Sequence, residues 1–186
     1  MGLTLADSYY LKAKAATSDY CCDWEEATEA LNYALSYDEN HSGALCLLGE
    51  IYAKNLAMPD QAFECFDKVL ASNTTYHQVY ITYARYLIWY DELERAKKLL
   101  DFAKTIKAIP MGQLYCVLAS LEETQGTYKK GLSYLKKAKK HCYNENYFYF
   151  IEEEEKRIKK KMKLDKKSKS TSKKSKKTKK KSKKKK

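Results

Sequence analysis

The chain has 186 residues, enough for one domain with a core or for a short array of repeats. Only two Pro and six Gly, with abundant Leu, Ala, Lys and Glu and no alternating Val/Ile/Thr run, predict an all-α protein. The net charge of +12 is uneven: residues 165–186 hold fourteen Lys and one Asp, a net of +13, whereas the first 164 residues carry −1, so a charge argument drawn from the whole chain says nothing about its folded part.

The opening stretch, MGLTLADSYYLKAK, lacks a basic start followed by an apolar core and a small-residue cleavage site, and Ala6 stands where a myristoylation signal has Ser or Thr. No run nears the ~20 apolar residues of a membrane span. A soluble, cytoplasmic protein is expected, or a nuclear one where the source cell has a nucleus.

Residues 8–41 form a first helical hairpin in which Leu11, Ala15, Ala27, Leu31 and Ala34 hold the apolar positions and Asp23 with Glu26 forms a capping box. The second hairpin, 42–75, starts after Ser42 and reads Leu45-x2-Leu48-Gly49-x2-Tyr52, then Ala62-x3-Phe66-x2-Val69, with Pro59 suited to a helix's first turn. The third, 77–110, reads Tyr80-x2-Tyr83-Ala84-x2-Leu87, then Ala96-x3-Leu100-x2-Ala103. The fourth, 112–145, reads Tyr115-x2-Leu118-Ala119-x2-Glu122, then, past Gly126-Thr127, Gly131-x3-Leu135-x2-Ala138. Small residues thus recur on first helices (Ala15, Gly49, Ala84, Ala119) and on second helices (Ala27, Ala62, Ala96, Gly131) at 34–35 residues. A glycine inside a helix costs helix propensity. A small residue where two antiparallel helices cross lets them approach closely while larger neighbours interlock.

This period and pattern resemble the tetratricopeptide repeat (TPR) family, whose ~34-residue unit runs W-x2-L-G-x2-Y, A-x3-F, P. Leu45, Tyr80 and Tyr115 replace the Trp, Lys14 and Ser18 make the first unit the weakest, and the closing Pro is missing apart from a displaced Pro110. The resemblance spans about residues 8–145 and implies a right-handed α-solenoid of about four hairpins. Residues 146–164 then form a capping helix that places Tyr147, Phe148, Phe150 and Ile151 on the last hairpin, with Glu152/Lys156 and Glu155/Lys159 as i,i+4 pairs. Residues 165–186 contain no apolar side chain and are expected to be disordered.

The resemblance also implies a concave groove, lined by first helices, that binds an extended peptide or a helix of a protein partner. Stepping along those helices names Lys12, Cys46, Glu50, Ile81, Arg85, Ile88, Cys116, Ser120 and Glu123. Of the lysine and amide positions that grip a C-terminal carboxylate in some relatives, Lys12 is compatible, but Ala16, Cys46 and Leu47 stand where polar amides would be needed and Gln78 and Thr82 replace the basic groups. Tyr9, Tyr10, Tyr76, Trp89, Tyr90 and the 147–150 run are more aromatic surface than small hairpins need, and serve packing between repeats or a contact patch.

The six Cys form no CxxC pair and His41, His77 and His141 show no metal spacing, so no metal and no cofactor are expected. With no nucleophile motif and no Gly-rich phosphate loop, the chain is expected not to be an enzyme. In the tail, Lys173, Lys174, Lys176, Lys177, Lys179, Lys180, Lys181 and Lys183 point to phosphate-directed, sequence-tolerant attraction to RNA, DNA or another polyanion. The sequence therefore predicts a non-catalytic adaptor, monomeric or weakly oligomeric, tethered through its tail. The alternative is a nucleic-acid- or ribosome-associated protein acting mainly through that tail.

Overall fold

The structure, a computed structural model, describes the backbone of residues 2–18 and 21–182, with side chains throughout except at 21, 22 and 167–182. Helices follow in chain order: α1 (Leu5–Ala16), α2 (Trp24–Tyr37), α3 (Ser42–Lys54), α4 (Pro59–Ser72), α5 (Gln78–Trp89), α6 (Leu93–Ala103), α7 (Met111–Thr124), α8 (Tyr128–Lys140) and α9 (Glu145–Ser182). Residues Thr17–Ser18 (β1) and Cys21–Cys22 (β2) add a two-residue antiparallel pairing between α1 and α2 that the all-α expectation did not contain. The chain divides into two compact units, Met1–Ile109 and Pro110–Lys186. No helix among the described residues is long and apolar enough to cross a membrane.

The first unit contains three antiparallel helical hairpins, α1–α2, α3–α4 and α5–α6. Their caps follow from side-chain chemistry. Thr4 and Asp7 form a full capping box ahead of α1, and Asp23 accepts from the Glu26 backbone N–H at the start of α2. The α3 cap is His41, one residue before the Ser42 expected there: its Nδ1 accepts the Ala44 N–H at 3.0 Å, which leaves Nε2 to donate to Asp7 at 3.1 Å. Pro59 opens α4 as expected.

Gly49 lies where the sequence argument puts a close crossing. A Cβ there would stand 2.9 Å from the Phe66 ring and 3.2 Å from the Ala62 carbonyl oxygen. The first hairpin departs from the expected register. Ala15 is exposed, and Ala13 and Ala16 are buried against α2 with Ala27, Ala30 and Leu31. The seven-residue connection 17–23, against three or four residues in the other hairpins, shifts the face of α1 that meets α2, so counting back a constant period picks the wrong alanine. Between the second and third hairpins Phe63, Phe66, Tyr83 and Tyr86 pack ring against ring, and the Arg95 guanidinium caps the cluster 5.3 Å from the Phe63 ring centre.

The second unit is the hairpin α7–α8 followed by α9. Its core joins Cys116, Ala119, Leu135 and Ala138 to Ile151 and Ile158 of α9. Gly131 repeats the close crossing on the opposite helix: an added Cβ would lie 3.2 Å from the Ala119 carbonyl oxygen and 3.4 Å from Ile158. Glu155 pairs with Lys159 at 3.4 Å as expected, but Glu152 turns to Lys139 at 3.3 Å, and Lys156 takes Glu153 at 2.7 Å. Helix α9 runs on to Ser182. Lys and Ser are compatible with helix, and no Pro or Gly interrupts 165–186. No tertiary apolar contact can be supplied by a segment without apolar residues.

Candidate functional site

In the first unit the positions expected to line a groove separate by burial. Cys46 and Ile81 are buried. Burial pushes the Cys46 thiol up to about 12, which removes it as a thiolate nucleophile at neutral pH. Lys12 is exposed but is drawn to Glu26 of α2 at 3.2 Å. Glu50 and Ile88 are half-buried, and Arg85 is exposed. Burial raises the Glu50 carboxyl above its ordinary value, and the charges of Arg85 and Lys54 pull it back only in part. One turn beyond Arg85, Trp89 is 66% exposed and stacks on Tyr86 at 6.2 Å. Arg85, Ile88 and Trp89 thus share one stretch of the α5 surface, with Glu50 on the neighbouring α3. The sequence singled out Trp89 only as an exposed aromatic; its i+4 spacing from Arg85 was the available signal.

In the second unit Cys116 is buried, and the Tyr147 hydroxyl donates to its sulfur at 3.2 Å. Ser120 is half-buried and returns its hydroxyl to the Cys116 carbonyl oxygen. Glu123, expected on an open groove, is enclosed. Its side chain is 5% exposed and held by Arg157 at 2.6 and 3.1 Å and by Lys161 at 2.8 Å, both from α9. Burial would raise this carboxyl, but the hydrogen bonds from Arg157 and Lys161 outweigh it and hold it below its ordinary value. Arg157 also binds Glu154 with a second pair of hydrogen bonds. Helix α9 therefore covers the part of α7 that periodicity alone assigned to a partner. The sequence reading expected this capping helix but not its reach to Glu123, because Arg157 and Lys161 stand a full repeat away and helical spacing along α7 does not show what lies against it.

Most of the extra aromatics pack. Tyr9 stacks between Tyr33 and Tyr37, Tyr10 lies over Gly43 and beside His41, and the Tyr90 hydroxyl donates to the Ala53 carbonyl. The exceptions are Trp89 and, in the second unit, Tyr143, Phe148, Tyr149 and Phe150, so of the three rings expected on the last hairpin only Tyr147 packs against its core.

A polar cleft of about 530 Å³ opens at the ends of the first two hairpins, between Asp7, Tyr10, Asp38, His41, Asn73 and Tyr76. Thr4, through its backbone N–H and hydroxyl, and His41 hold the Asp7 carboxyl at about 2. Both ring nitrogens of His41 are committed, one to a helix cap and one to Asp7, so the pair has a structural task and offers no free base. Among the described residues no group of three or more His, Cys, Asp or Glu is placed to hold a metal ion. Cys46, Cys65 and Cys116 are buried and Cys142 is half-buried. The side chains of Cys21 and Cys22, and of the tail lysines 173, 174, 176, 177, 179, 180 and 181, lie outside the described residues, as does Lys183 altogether.

No family model matches the chain, and no curated protein is similar to it. Solved structures are. One, from a functional characterisation of pilF of Pseudomonas aeruginosa, superposes with a TM-score of 0.73 at 19% identity, over 86% of this chain and 70% of that one. Another, PilW, a widely conserved type IV pilus biogenesis factor, gives 0.66 at 19% identity, over 74% of this chain and 62% of its own. At this identity the likeness speaks of fold alone, and it supports what the crossings at Gly49 and Gly131 indicate: the chain has a TPR-like helical repeat fold.

Proposed function

We propose that the protein is a non-catalytic adaptor that binds a protein partner, as a peptide or a helix, on the first-helix face of its first unit. The observation that carries this reading is the grouping of Arg85, Ile88 and Trp89 on α5, with Glu50 on α3. Exposed Trp and Arg are the residue types in which binding energy concentrates, and a half-buried carboxylate beside them supplies a selective contact. Hairpin repeats leave such faces open because each helix buries only one stripe against its neighbours. In this reading the Lys-rich tail tethers the assembly to a polyanion. Cys46, Ile81, Cys116 and Glu123 leave the contact set, since a partner cannot touch them without displacing core. Lys12 remains peripheral, and Ser120 belongs to the second unit and leaves the set as well.

The test compares proteins retained by immobilised full-length chain, by Arg85→Glu/Trp89→Ala, and by a chain lacking residues 165–186, each with and without nuclease. A partner lost with the double substitution and kept, nuclease-resistant, without the tail supports the adaptor. Retention that depends on the tail and vanishes with nuclease would favour the alternative, a nucleic-acid- or ribosome-associated protein working mainly through its lysines.

A further inference from the structure

Helix α8, YKKGLSYLKKAKK, contains six Lys and not one carboxylate. Gly131, Leu135 and Ala138 face the core, so the opposite face consists of Lys129, Lys130, Ser133, Lys136, Lys137 and Lys140, all exposed. The second helices of the first unit are built otherwise. Each has acid in its first turn, Glu25 and Glu26 in α2, Asp60 in α4 and Glu94 in α6, where negative charge suits the helix dipole. Helix α8 puts Lys129 and Lys130 there instead, against the dipole.

Ion pairing does not neutralise this face. The carboxylates Glu122, Glu123, Glu152, Glu153, Glu154 and Glu155 are taken by Lys130, Lys139, Lys156, Arg157, Lys159 and Lys161. Lys129, Lys136, Lys137 and Lys140 have no carboxylate within 4.0 Å among the described residues. Even without the rest of the tail, residues 110–166 hold 13 Lys and Arg against 8 Asp and Glu, whereas residues 1–109 hold 10 against 16. Lys129, Ser133 and Lys136 also border a groove of about 370 Å³ between α8 and α9, with Lys159 and Glu155, itself paired with Lys139 and Lys159, on its other wall. At the corner where α8 passes into α9, Tyr143 is 90% exposed, Tyr149 66% and Phe150 49%.

We propose that the outer face of α8, with the aromatic corner at residues 143–150, is a binding surface for single-stranded nucleic acid, separate from the tail and beyond the adaptor role. Lysines in a row on a rigid helix attract successive phosphates, and exposed rings at one end offer stacking to bases of any sequence. The α8 face holds no Arg, Asn or Gln, and the only amides of the corner are Asn144, whose Oδ1 accepts the Tyr147 N–H, and Asn146, so base edges find few readers and binding is sequence-tolerant. An acidic protein partner fits less well. Protein interfaces concentrate energy in buried aromatic and Arg anchors and deplete Lys, and the largely apolar pocket lined by Tyr128, Lys129, Lys130 and Met162 lies at the N-terminal end of α8, away from Lys136, Lys137 and Lys140. A membrane surface also fits less well. An interfacial helix gathers its apolar side chains on one face, whereas the outer face of α8 has none, and Phe148, Tyr149 and Phe150 follow one another around three sides of α9.

The test is fluorescence anisotropy of labelled oligo(U) and oligo(dT) against the full chain over a salt series. Lys129→Gln/Lys136→Gln/Lys137→Gln/Lys140→Gln should lower the log–log salt slope by about 3. The same charge loss in the first unit, Lys54→Gln/Lys68→Gln/Lys97→Gln/Lys98→Gln, should leave the slope near that of the wild type. Arg at the same four α8 positions should retain it, which guards against a folding artefact. Tyr143→Ala/Tyr149→Ala should weaken oligonucleotide binding about five- to a hundredfold without changing binding to base-free polyphosphate. An unchanged slope in the α8 variant would assign all affinity to the tail and overturn the proposal. So would equal losses from the two lysine sets. It is likewise overturned if the tyrosine change is silent, or if poly-glutamate or phosphatidylserine vesicles lose as much affinity as the oligonucleotides.

Discussion

The hairpins α3–α4 and α7–α8 solve the same packing problem with exchanged parts. In the first, the glycine is on the first helix and the alanine on the second, Gly49 against Ala62; in the second, Ala119 faces Gly131. Both crossings are close enough that a Cβ at the glycine would meet the partner helix's backbone oxygen at 3.2 Å. Outside the crossing the two hairpins diverge. Helix α4 carries Asp60, Glu64 and Asp67 with one lysine, and α8 carries lysines alone. The turn residue in the left-handed region is Ala57 in one and Gly126 in the other. The buried-side carboxylates differ too: Glu50 has no ion pair within 4.0 Å among the described residues, and Glu123 has two partners. The pair of small residues is what the fold requires, and the outward faces are left to function.

The largest effect should come from filling a crossing. Gly49→Leu and Ala96→Leu are each expected to destabilise by roughly 1–3 kcal/mol or more through overpacking, as is Gly131→Leu in the second unit. Ser120→Leu, at a half-buried position, should cost less. Urea midpoints measure all four, and a Gly49→Leu midpoint equal to that of Ser120→Leu would show that Gly49 is not at a crossing.

Next come the two carboxylates. Glu123→Gln leaves Arg157 and Lys161 facing a neutral group and should cost about 1–3 kcal/mol, reduced from the fully buried case because both cations are about half exposed. Glu50→Gln should be near neutral, since burial already disfavours its charge. Their pH dependences have opposite signs. Glu123 titrates below its ordinary value of 4.5 in the folded state, so its contribution is present above that value and is lost as the pH falls through the folded one. Glu50 titrates above 4.5 in the folded state, so acidification through its folded value adds stability until the unfolded chain is protonated as well. Urea midpoints between pH 3 and 7 should therefore show a smaller acid loss in Glu123→Gln than in wild type, and a larger one in Glu50→Gln. The same trend in both variants would refute the contrast.

The smallest expected effect lies in the turns. Ala57 has φ of 52° and Gly126 of 74°. Ala57→Gly should stabilise by a few tenths to about 1 kcal/mol, and Gly126→Ala should destabilise by about 1 kcal/mol or more. Thermal melts that move in the same direction would undo this part of the comparison.

Hairpins two to four were legible because a small residue at each crossing leaves a periodic mark, and Gly49, Ala84, Ala119, Ala62, Ala96 and Gly131 are all buried. The first hairpin was misregistered at Ala15 because its connecting loop is longer, and loop length is invisible to a periodic pattern. Of the expected groove, Arg85 was placed at the surface by helical spacing alone. Cys46, Ile81, Cys116 and Glu123 were assigned to the same face although their neighbours bury them, because a helix wheel shows which residues share a side and not what lies against that side.

The sequence alone determined the helical class, the hairpin period, the small residues at the crossings and the concentration of lysine toward one end. Each is a local or periodic property, set by side-chain size, propensity and charge. Tertiary structure decided which of those positions meet solvent. It closed Glu123 under Arg157 and Lys161, spent most carboxylates of the second unit on neighbouring cations, and so left Lys129, Lys136, Lys137 and Lys140 of α8 with no carboxylate within 4.0 Å among the described residues. Which cation takes which carboxylate depends on how α8 and α9 pack side by side through Ile151, which the sequence placed on the last hairpin, and Ile158 two turns further on, and helical spacing within one element does not rank the charged neighbours that this packing brings together.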